Sequence, residues 1–591
     1  MSTLRRGTRR MWFLIENGQI IRNSWSRCMS TTIHKVAKIE NGMNGEKIFK
    51  SPYGVANYPD VPVHEFIWEN IGSWEKKIAL KCGPTGRKYT YAEARDAANW
   101  IARSLLDIGF KTGDVIALVL PNLPETAIAF LGAIEAGLIV TTVNPHYTVD
   151  EISRQLINSE STGIITNGEI SSTVIKAAEQ SLPTKAPFIV VDDGTAFSLP
   201  SGFIPFKDLI SRGKTLPPVP PKPWTPEDLA VLPYSSGTTG LSKGVMLSHR
   251  NLISNIIQVD STLAGETWIL FVVLDNYQEI VPAVLPFFHI YGMNALMLPI
   301  MRIGAQLITL PKFTPKSYAD VLVNNKVSGL LVVPPLVLFL TADPSISKSH
   351  LESVHFMASG AAPIAATDIE RFYEKFQLDD NTLKFTQGYG LTESSPVTFL
   401  KKSGGKKYAS IGSPVCDTEA RLVDPETKED IVTPGKSGEL WVRGAHVMQG
   451  YYKNEEATKE TLTSDGWLKT GDLAYFDEEH EFFITDRLKE LIKVKGFQVP
   501  PAELEALLRT HPDIEEAAVV GIPDNRFGEI PRAFVLPKKD RVLKEEEVQD
   551  FVKGKVAEYK ELRGGVTFVN SIPKNASGKI LRRVLKEEHL K

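Results

Sequence analysis

The chain reads as an α/β protein: a large N-terminal domain of mixed sheets covered by helices, followed by a small α+β block. Three observations predict this. From about residue 75, short apolar runs bounded by turn residues alternate with helix-length segments. Beyond Asp486-Arg487-Leu488-Lys489 the charges become dense, as in Lys544-Glu545-Glu546-Glu547. Finally, 591 residues with a 42% apolar share supply more than one core.

Taken in order, residues 1–45 form a basic tail. Within residues 1–38, Arg5, Arg6, Arg9, Arg10, Arg22, Arg27, Lys35 and Lys38 face a single acid, Glu16, and Trp12, Phe13, Leu14, Ile20 and Ile21 can form an apolar face. That composition predicts a mitochondrial transit peptide, the alternatives being a disordered tail or a start at Met29. His589-Leu590-Lys591 is not the peroxisomal Ser-Lys-Leu signal, which moves weight towards mitochondria, a peroxisomal or cytoplasmic address being the alternative.

Residues 46–486 are expected to form the large domain. Val115–Leu120, opened by Gly113-Asp114 and closed by Pro121-Asn122, reads as a buried strand. Pro124–Gly137 follows as a helix with proline at its start and glycine at its end. Leu138–Val143, Ile164–Thr166, Phe188–Val191 and Trp268–Leu274 read as further strands. Thr126–Val143 comes nearest to a membrane span but contains Glu135. Pro217–Pro221 is a stiff connector. Residues 487–591 complete the chain as the small block of about 100 residues. A net charge of −3 gives no reason to expect nucleic-acid binding. Cys28, Cys82 and Cys416 lack metal-ligand spacing and argue against a disulfide framework.

The most informative stretch is Ser235-Ser236-Gly237-Thr238-Thr239-Gly240-Leu241-Ser242-Lys243-Gly244, set between two strand-like runs. Small, hydroxylated and glycyl residues can wrap N–H and hydroxyl groups around phosphate, and Lys243 adds a positive charge. Ser242 before the lysine and Gly244 after it exclude a Walker A loop. Alone, the stretch would equally suit a hairpin turn. Three further motifs follow: Gln387-Gly388-Tyr389-Gly390-Leu391-Thr392-Glu393, then Thr470-Gly471-Asp472 with Asp486–Gly496, then Pro573-Lys574-Asn575-Ala576-Ser577-Gly578-Lys579. In this order the four motifs resemble the adenylate-forming superfamily, in its 4-coumarate–CoA ligase-like and fatty-acyl-CoA ligase branch. The resemblance spans roughly residues 50–591.

That resemblance implies an acid–thiol ligase using ATP, CoA and Mg²⁺, with a hinge at 486–489 (Lys489) and a mobile C-terminal lid. A carboxylate is a poor acyl donor until AMP becomes its leaving group; CoA sulfur then displaces AMP. By resemblance, the loop Ser235–Lys243 grips the β- and γ-phosphates; the family usually carries proline at the place of Ser242. Gln387, Gly388, Tyr389 and Gly390 line the nucleotide, with Tyr389 stacking on adenine. Thr392 contacts the α-phosphate and Glu393 holds the metal. Asp472 and Arg487 hold the ribose, and Lys579 bridges the substrate carboxylate and α-phosphate. Lys493 and Gln498 match positions serving the thioester step, although Lys493–Gln498 alone reads as an ordinary basic strand.

The acyl pocket is expected around Pro286–Gly292, where His289 matches a gating residue and Tyr291 follows it. Gly360, Ala361, Gly388, Gly390, Pro396 and Val397 supply the remaining wall. No charged residue in these segments would recognise a polar tail. A medium- to long-chain fatty acid is the favoured substrate, with a hydroxycinnamate close behind. A luciferase-like monooxygenase shares the motifs. A non-catalytic nucleotide or acyl sensor is disfavoured, because Lys243, Glu393, Asp472, Arg487 and Lys579 are all present.

Overall fold

The computed structural model describes residues 37–589 apart from 44, 183–185, 195–201, 222, 236–241, 265–276, 403–406, 496, 525 and 576–577. Most of the basic tail and the Trp268–Leu274 strand lie outside the described residues.

The largest sheet is mainly parallel. Its strands run in the order Tyr234–Ser235, Lys243–Ser248, Leu229–Val231, Ile139–Thr142, Val115–Val119, Ser161–Asn167, Phe188–Val191 and Ile204–Pro205, and Gly450–Tyr451 pairs with Lys243–Ser248. The helix Pro124–Ala136 begins on proline and ends at Gly137 with φ 78°. It is buried along nearly its whole length, so the apolar run is a core helix. Its two acids are accommodated there. Glu125 pairs with Arg87 at 2.7 Å and accepts the Tyr89 hydroxyl at 2.8 Å. Burial raises the Glu135 carboxyl above its ordinary value, and Asn99 donates to it. No helix among the described residues is long and apolar enough to cross a membrane.

A second sheet orders Gly329–Val332, Phe356–Ser359, Lys384–Gly390, Val397–Leu400 and Ser413–Pro414. Its first three strands are parallel, with Val332, Ser359 and Gln387 in register near their carboxyl ends. A smaller sheet holds Ile280–Ala283, Gln306–Thr309, Ile78–Cys82 and Lys88–Thr90. The antiparallel six-stranded sheet contains Lys38–Asn41, Lys47–Lys50, Glu419–Val423, Gly438–Arg443, Leu468–Phe476 and Phe482–Arg487. This moves one expected boundary. Residues 38–41, assigned to the tail by their charge, are an edge strand paired with Lys47–Lys50.

The last sheet draws only on Ile492–Val494, Phe497–Val499, Ile514–Asp524, Gly528–Pro537 and Val566–Phe568. It has its own core, with Ile492, Val519, Val535 and Leu504 buried together. Arg487 still belongs to the preceding sheet, so the crossing between sheets occupies residues 488–491. The basic strand expected over Lys493–Gln498 is instead a hairpin, with Lys493 opposite Gln498 and a turn through Lys495 at φ 50°.

Candidate active site

Parallel strands leave a crevice beyond their carboxyl ends, and Lys384–Gly390 brings Tyr389 and Gly390 to such an end. Gly390 ends its strand against the returning chain. A Cβ at that position would lie 1.8 Å from the Pro396 carbonyl oxygen, so only glycine fits. The glycine serves this close backbone approach. Gln387 turns inward and donates to the carbonyls of Tyr408 and Ser410, both at 3.3 Å. Its side chain therefore braces the loop behind the site.

Tyr389 donates from its hydroxyl to Asp472 Oδ2 at 2.5 Å, and Arg487 Nε lies 3.0 Å from Asp472 Oδ1. Asp472 and Arg487 are cross-strand neighbours, which explains how residues fifteen apart in sequence meet. Gly471, at φ 71°, makes the turn that presents Asp472. Burial raises the Asp472 carboxyl above its usual range, against the opposing pull of Arg487 and Tyr389. Lys579 reaches the same corner. Burial lowers its pKa, as do Arg487 and Arg582, while Glu490 and Asp472 act in the opposite direction. A short bridge between Lys574 and Ile580 carries it, closed by Asn575 N–H to the Lys579 carbonyl at 2.9 Å. Gly578, at φ 82°, lets this hairpin lie against Pro335, whose Cγ would be 3.0 Å from an added Cβ.

The phosphate loop starts and ends on paired strands, with Ser235 opposite Lys243. Its tip, Ser236, Gly237, Thr238, Thr239 and Gly240, lies outside the described residues. Lys243 Nζ sits 4.7 Å from the centre of the Tyr451 ring. The Tyr451 hydroxyl in turn donates to Glu393 Oε1 at 2.9 Å. Thr392 and Glu393 occupy a single 3₁₀ turn, Thr392–Ser394. Among the described residues no group of three or more His, Cys, Asp or Glu side chains could hold a metal by itself. One carboxylate, joined through Tyr451 to Lys243, fits Mg²⁺, which keeps water and substrate phosphate oxygens as its other ligands. Glu393 is the residue that would hold it.

On the acyl side, His289 precedes the π-helical turn Tyr291–Met297, and its Nδ1 accepts the Tyr291 N–H at 3.2 Å. Burial lowers the His289 pKa to about 4, so the ring is neutral at physiological pH. The Tyr291 hydroxyl donates to the carbonyls of Val332 at 3.2 Å and Ala358 at 3.4 Å. Gly360 lies on this ring, with Tyr291 Cζ 3.2 Å and the Gly388 carbonyl 3.4 Å from the place a Cβ would take. Tyr291, Gly360 and Gly388 are thus brought together. Ala361 is exposed at φ 70°, Pro396 is buried, and Val397 is clamped by Asn255 through both backbone groups.

Lys489 is exposed in the turn between the last two sheets, and Lys493 is exposed on the next hairpin. Among the described residues Lys493 makes no ion pair with the Asp472 corner. Three residues around the site went unremarked in the sequence: Tyr451, between Lys243 and Glu393, and Glu490 and Arg582, beside Lys579. Each is an ordinary residue type whose importance depends on contacts distant in sequence.

Comparison with known proteins completes the picture. The AMP-binding enzyme profile matches residues 67–452, and the AMP-binding enzyme C-terminal domain profile matches 503–579. The chain belongs to the AMP-binding enzyme family. It is 38% identical over 555 residues to "Probable 4-coumarate–CoA ligase 1" of Dictyostelium discoideum, covering 92% of this chain and 98% of that protein. Against "4-coumarate–CoA ligase 1" of Arabidopsis thaliana it is 38% identical over 556 residues, covering 93% and 96%. The ATP-bound crystal structure of MatB from Rhodopseudomonas palustris shares the fold with a TM-score of 0.77 and 26% identity, over 90% of this chain and 99% of that one.

As a member of the adenylate-forming superfamily, this AMP-binding enzyme is an AMP-forming acid–CoA ligase. ATP, CoA and a small-molecule carboxylic acid are its substrates, and Mg²⁺ is the metal usual for the family.

Proposed function

We propose that the enzyme activates an aromatic, 4-coumarate-type carboxylic acid as its adenylate and transfers the acyl group to CoA. One observation carries this choice of acid. Relatives at 37–39% identity over about nine-tenths of the chain are named 4-coumarate–CoA ligases. The medium- to long-chain fatty acid favoured on sequence grounds finds no comparable support among these relatives, and neither does a role in lipid metabolism.

In the first step a carboxylate oxygen attacks the α-phosphorus and pyrophosphate leaves. Asp472 and Arg487 hold the ribose, Lys243 and the loop before it hold the departing phosphates, and Lys579 compensates charge between carboxylate and α-phosphate. In the second, CoA sulfur attacks the carbonyl carbon and AMP leaves, served by Lys493 and Gln498 after the lid turns about Lys489. Glu393 would hold Mg²⁺, which would supply further charge neutralisation on the phosphates. The test is pyrophosphate release across coumarate, caffeate and fatty acids of graded length. Coumarate or caffeate should give the highest kcat/KM, and a clear preference for a fatty acid would reverse the assignment. A mitochondrial address for residues 1–45 is proposed on composition alone, and a reporter fusion that stays diffuse would end it.

A further inference from the structure

We propose that Glu490 and Arg582 are positioning residues that seat Lys579 in the nucleotide corner for acyl-adenylate formation. The inference rests on the assignment of Lys579 to that step. Glu490 stands in the turn that leaves the large domain, immediately after Lys489. Its Oε1 lies 3.6 Å from Lys579 Nζ, and its Oε2 accepts from Arg582 Nη1. One carboxylate is therefore shared by two cations that are three residues apart on the lid.

Arg582 is itself immobilised. Its Nη2 donates to both oxygens of Glu505, at 2.7 and 2.9 Å, and its Nε donates to the Val519 carbonyl at 3.2 Å. Glu505 is held in place because it also accepts the Val519 N–H at 2.8 Å. With its three nitrogens committed to Glu490, Glu505 and the Val519 carbonyl, the planar guanidinium is fixed in direction as well as distance. The cluster is shielded, with the Glu490 and Arg582 side chains each 15% exposed. A second tie fixes the lid helix Pro501–Arg509, whose Ala502 N–H donates to Asp486 Oδ2 at 3.0 Å.

The consequence follows from the nature of lysine. An ammonium on four flexible carbons has many orientations and binds as a point charge. Glu490 gives it one acceptor, anchored through Arg582 to the lid's own strands and helix and through the backbone to the hinge turn. Lys579 is thereby aimed at Asp472 and Arg487 whenever the lid stands as it does here. Turning the lid about residue 489 carries Lys579 and Arg582 away from the corner together. The cluster thus acts in the first half-reaction only.

The test uses the full-length enzyme and separates the half-reactions. Glu490→Gln keeps size and hydrogen bonding but removes the charge. Acyl-adenylate formation should fall about tenfold to a hundredfold, with the rate of thioester formation from supplied acyl-adenylate preserved within about twofold. Glu490→Asp should recover part of the loss. In a Lys579→Ala background, Glu490→Gln should cost nothing further, because the residue acts through the lysine. Equal losses in both half-reactions, or an undiminished loss in the Lys579→Ala background, would overturn the proposal in favour of a merely structural role. If Lys579→Ala itself leaves adenylate formation intact, the assignment of Lys579 fails first. If that variant is inactive and Glu490→Gln is normal, the positioning role alone fails.

Discussion

Two lysine-bearing hairpins of the same lid stand in opposite environments. Lys579 is mostly buried, 3.6 Å from Glu490 and within electrostatic reach of Asp472 and Arg487. Lys493, opposite Gln498 on the other hairpin, faces solvent. The contrast teaches how one small domain can serve two chemistries at one crevice. In the arrangement seen here one of the two cations is in place, and it is the one our reading assigns to adenylation. The Lys579 hairpin is seated against Pro335 of the large domain, a contact the lid must give up to turn.

The strongest way to break the comparison is a reciprocal pair of substitutions. Lys579→Ala should slow acyl-adenylate formation by about 10²–10³-fold, the loss typical of removing one preorganised charge partner. Thioester formation from supplied acyl-adenylate should continue. Lys493→Ala should do the opposite, leaving pyrophosphate release in the first turnover intact while slowing transfer to CoA. Single-turnover assays of each half-reaction measure both. If either substitution damages both steps alike, the two hairpins do not divide the work.

A second substitution sharpens the nucleotide side of the comparison. Asp472 receives Tyr389 on one oxygen and Arg487 on the other, so its carboxylate is aligned before any ribose arrives. Asp472→Asn should weaken ATP binding about tenfold to a hundredfold, the range expected for hydrogen bonds to a charged group. The same change should leave thioester formation from preformed acyl-adenylate less affected only if lid rotation loosens the ribose contact. Calorimetric titration with ATP measures the first effect, and unaltered ATP affinity would remove Asp472 from the ribose site.

How much of this was legible in the sequence follows from what each residue depends on. The α/β alternation, the helix starting at Pro124 and the four motifs were readable because local constraints write them. Gly390 must be glycine beside the Pro396 carbonyl, Gly471 turns the chain into Asp472, and Gly578 lets a hairpin touch Pro335. The strand Lys38–Asn41 was not readable. Its Lys-Ile-Glu-Asn sequence carries two charges, and only pairing with Lys47–Lys50 makes it a strand. Tyr451, Glu490 and Arg582 were hidden for a related reason. A tyrosine, a glutamate and an arginine acquire meaning only when residues 58 to 92 positions away come to meet them. Tyr389 shows the limit within a recognised motif, since its expected partner was adenine and its hydroxyl is found on Asp472.

The smallest expected effect separates lid chemistry from the stability of the large domain. His446 is fully buried, and neither ring nitrogen finds a hydrogen-bond partner among the described residues. Burial pushes its pKa down to about 3. The unfolded chain takes up that proton near pH 6.5, so below this pH the unfolded state binds more protons than the folded one. Stability therefore falls as the pH drops from about 6.5 towards 3. By pH 5 this single group costs about 2 kcal/mol. His446→Leu should hold or raise stability at pH 7.5, because two unpaired polar atoms disappear, and should flatten the decline at pH 5 by about that amount. Urea unfolding at the two pH values measures the difference. An equally steep decline in the variant would mean that acid acts elsewhere, and loss of activity at low pH could then be sought in the lid.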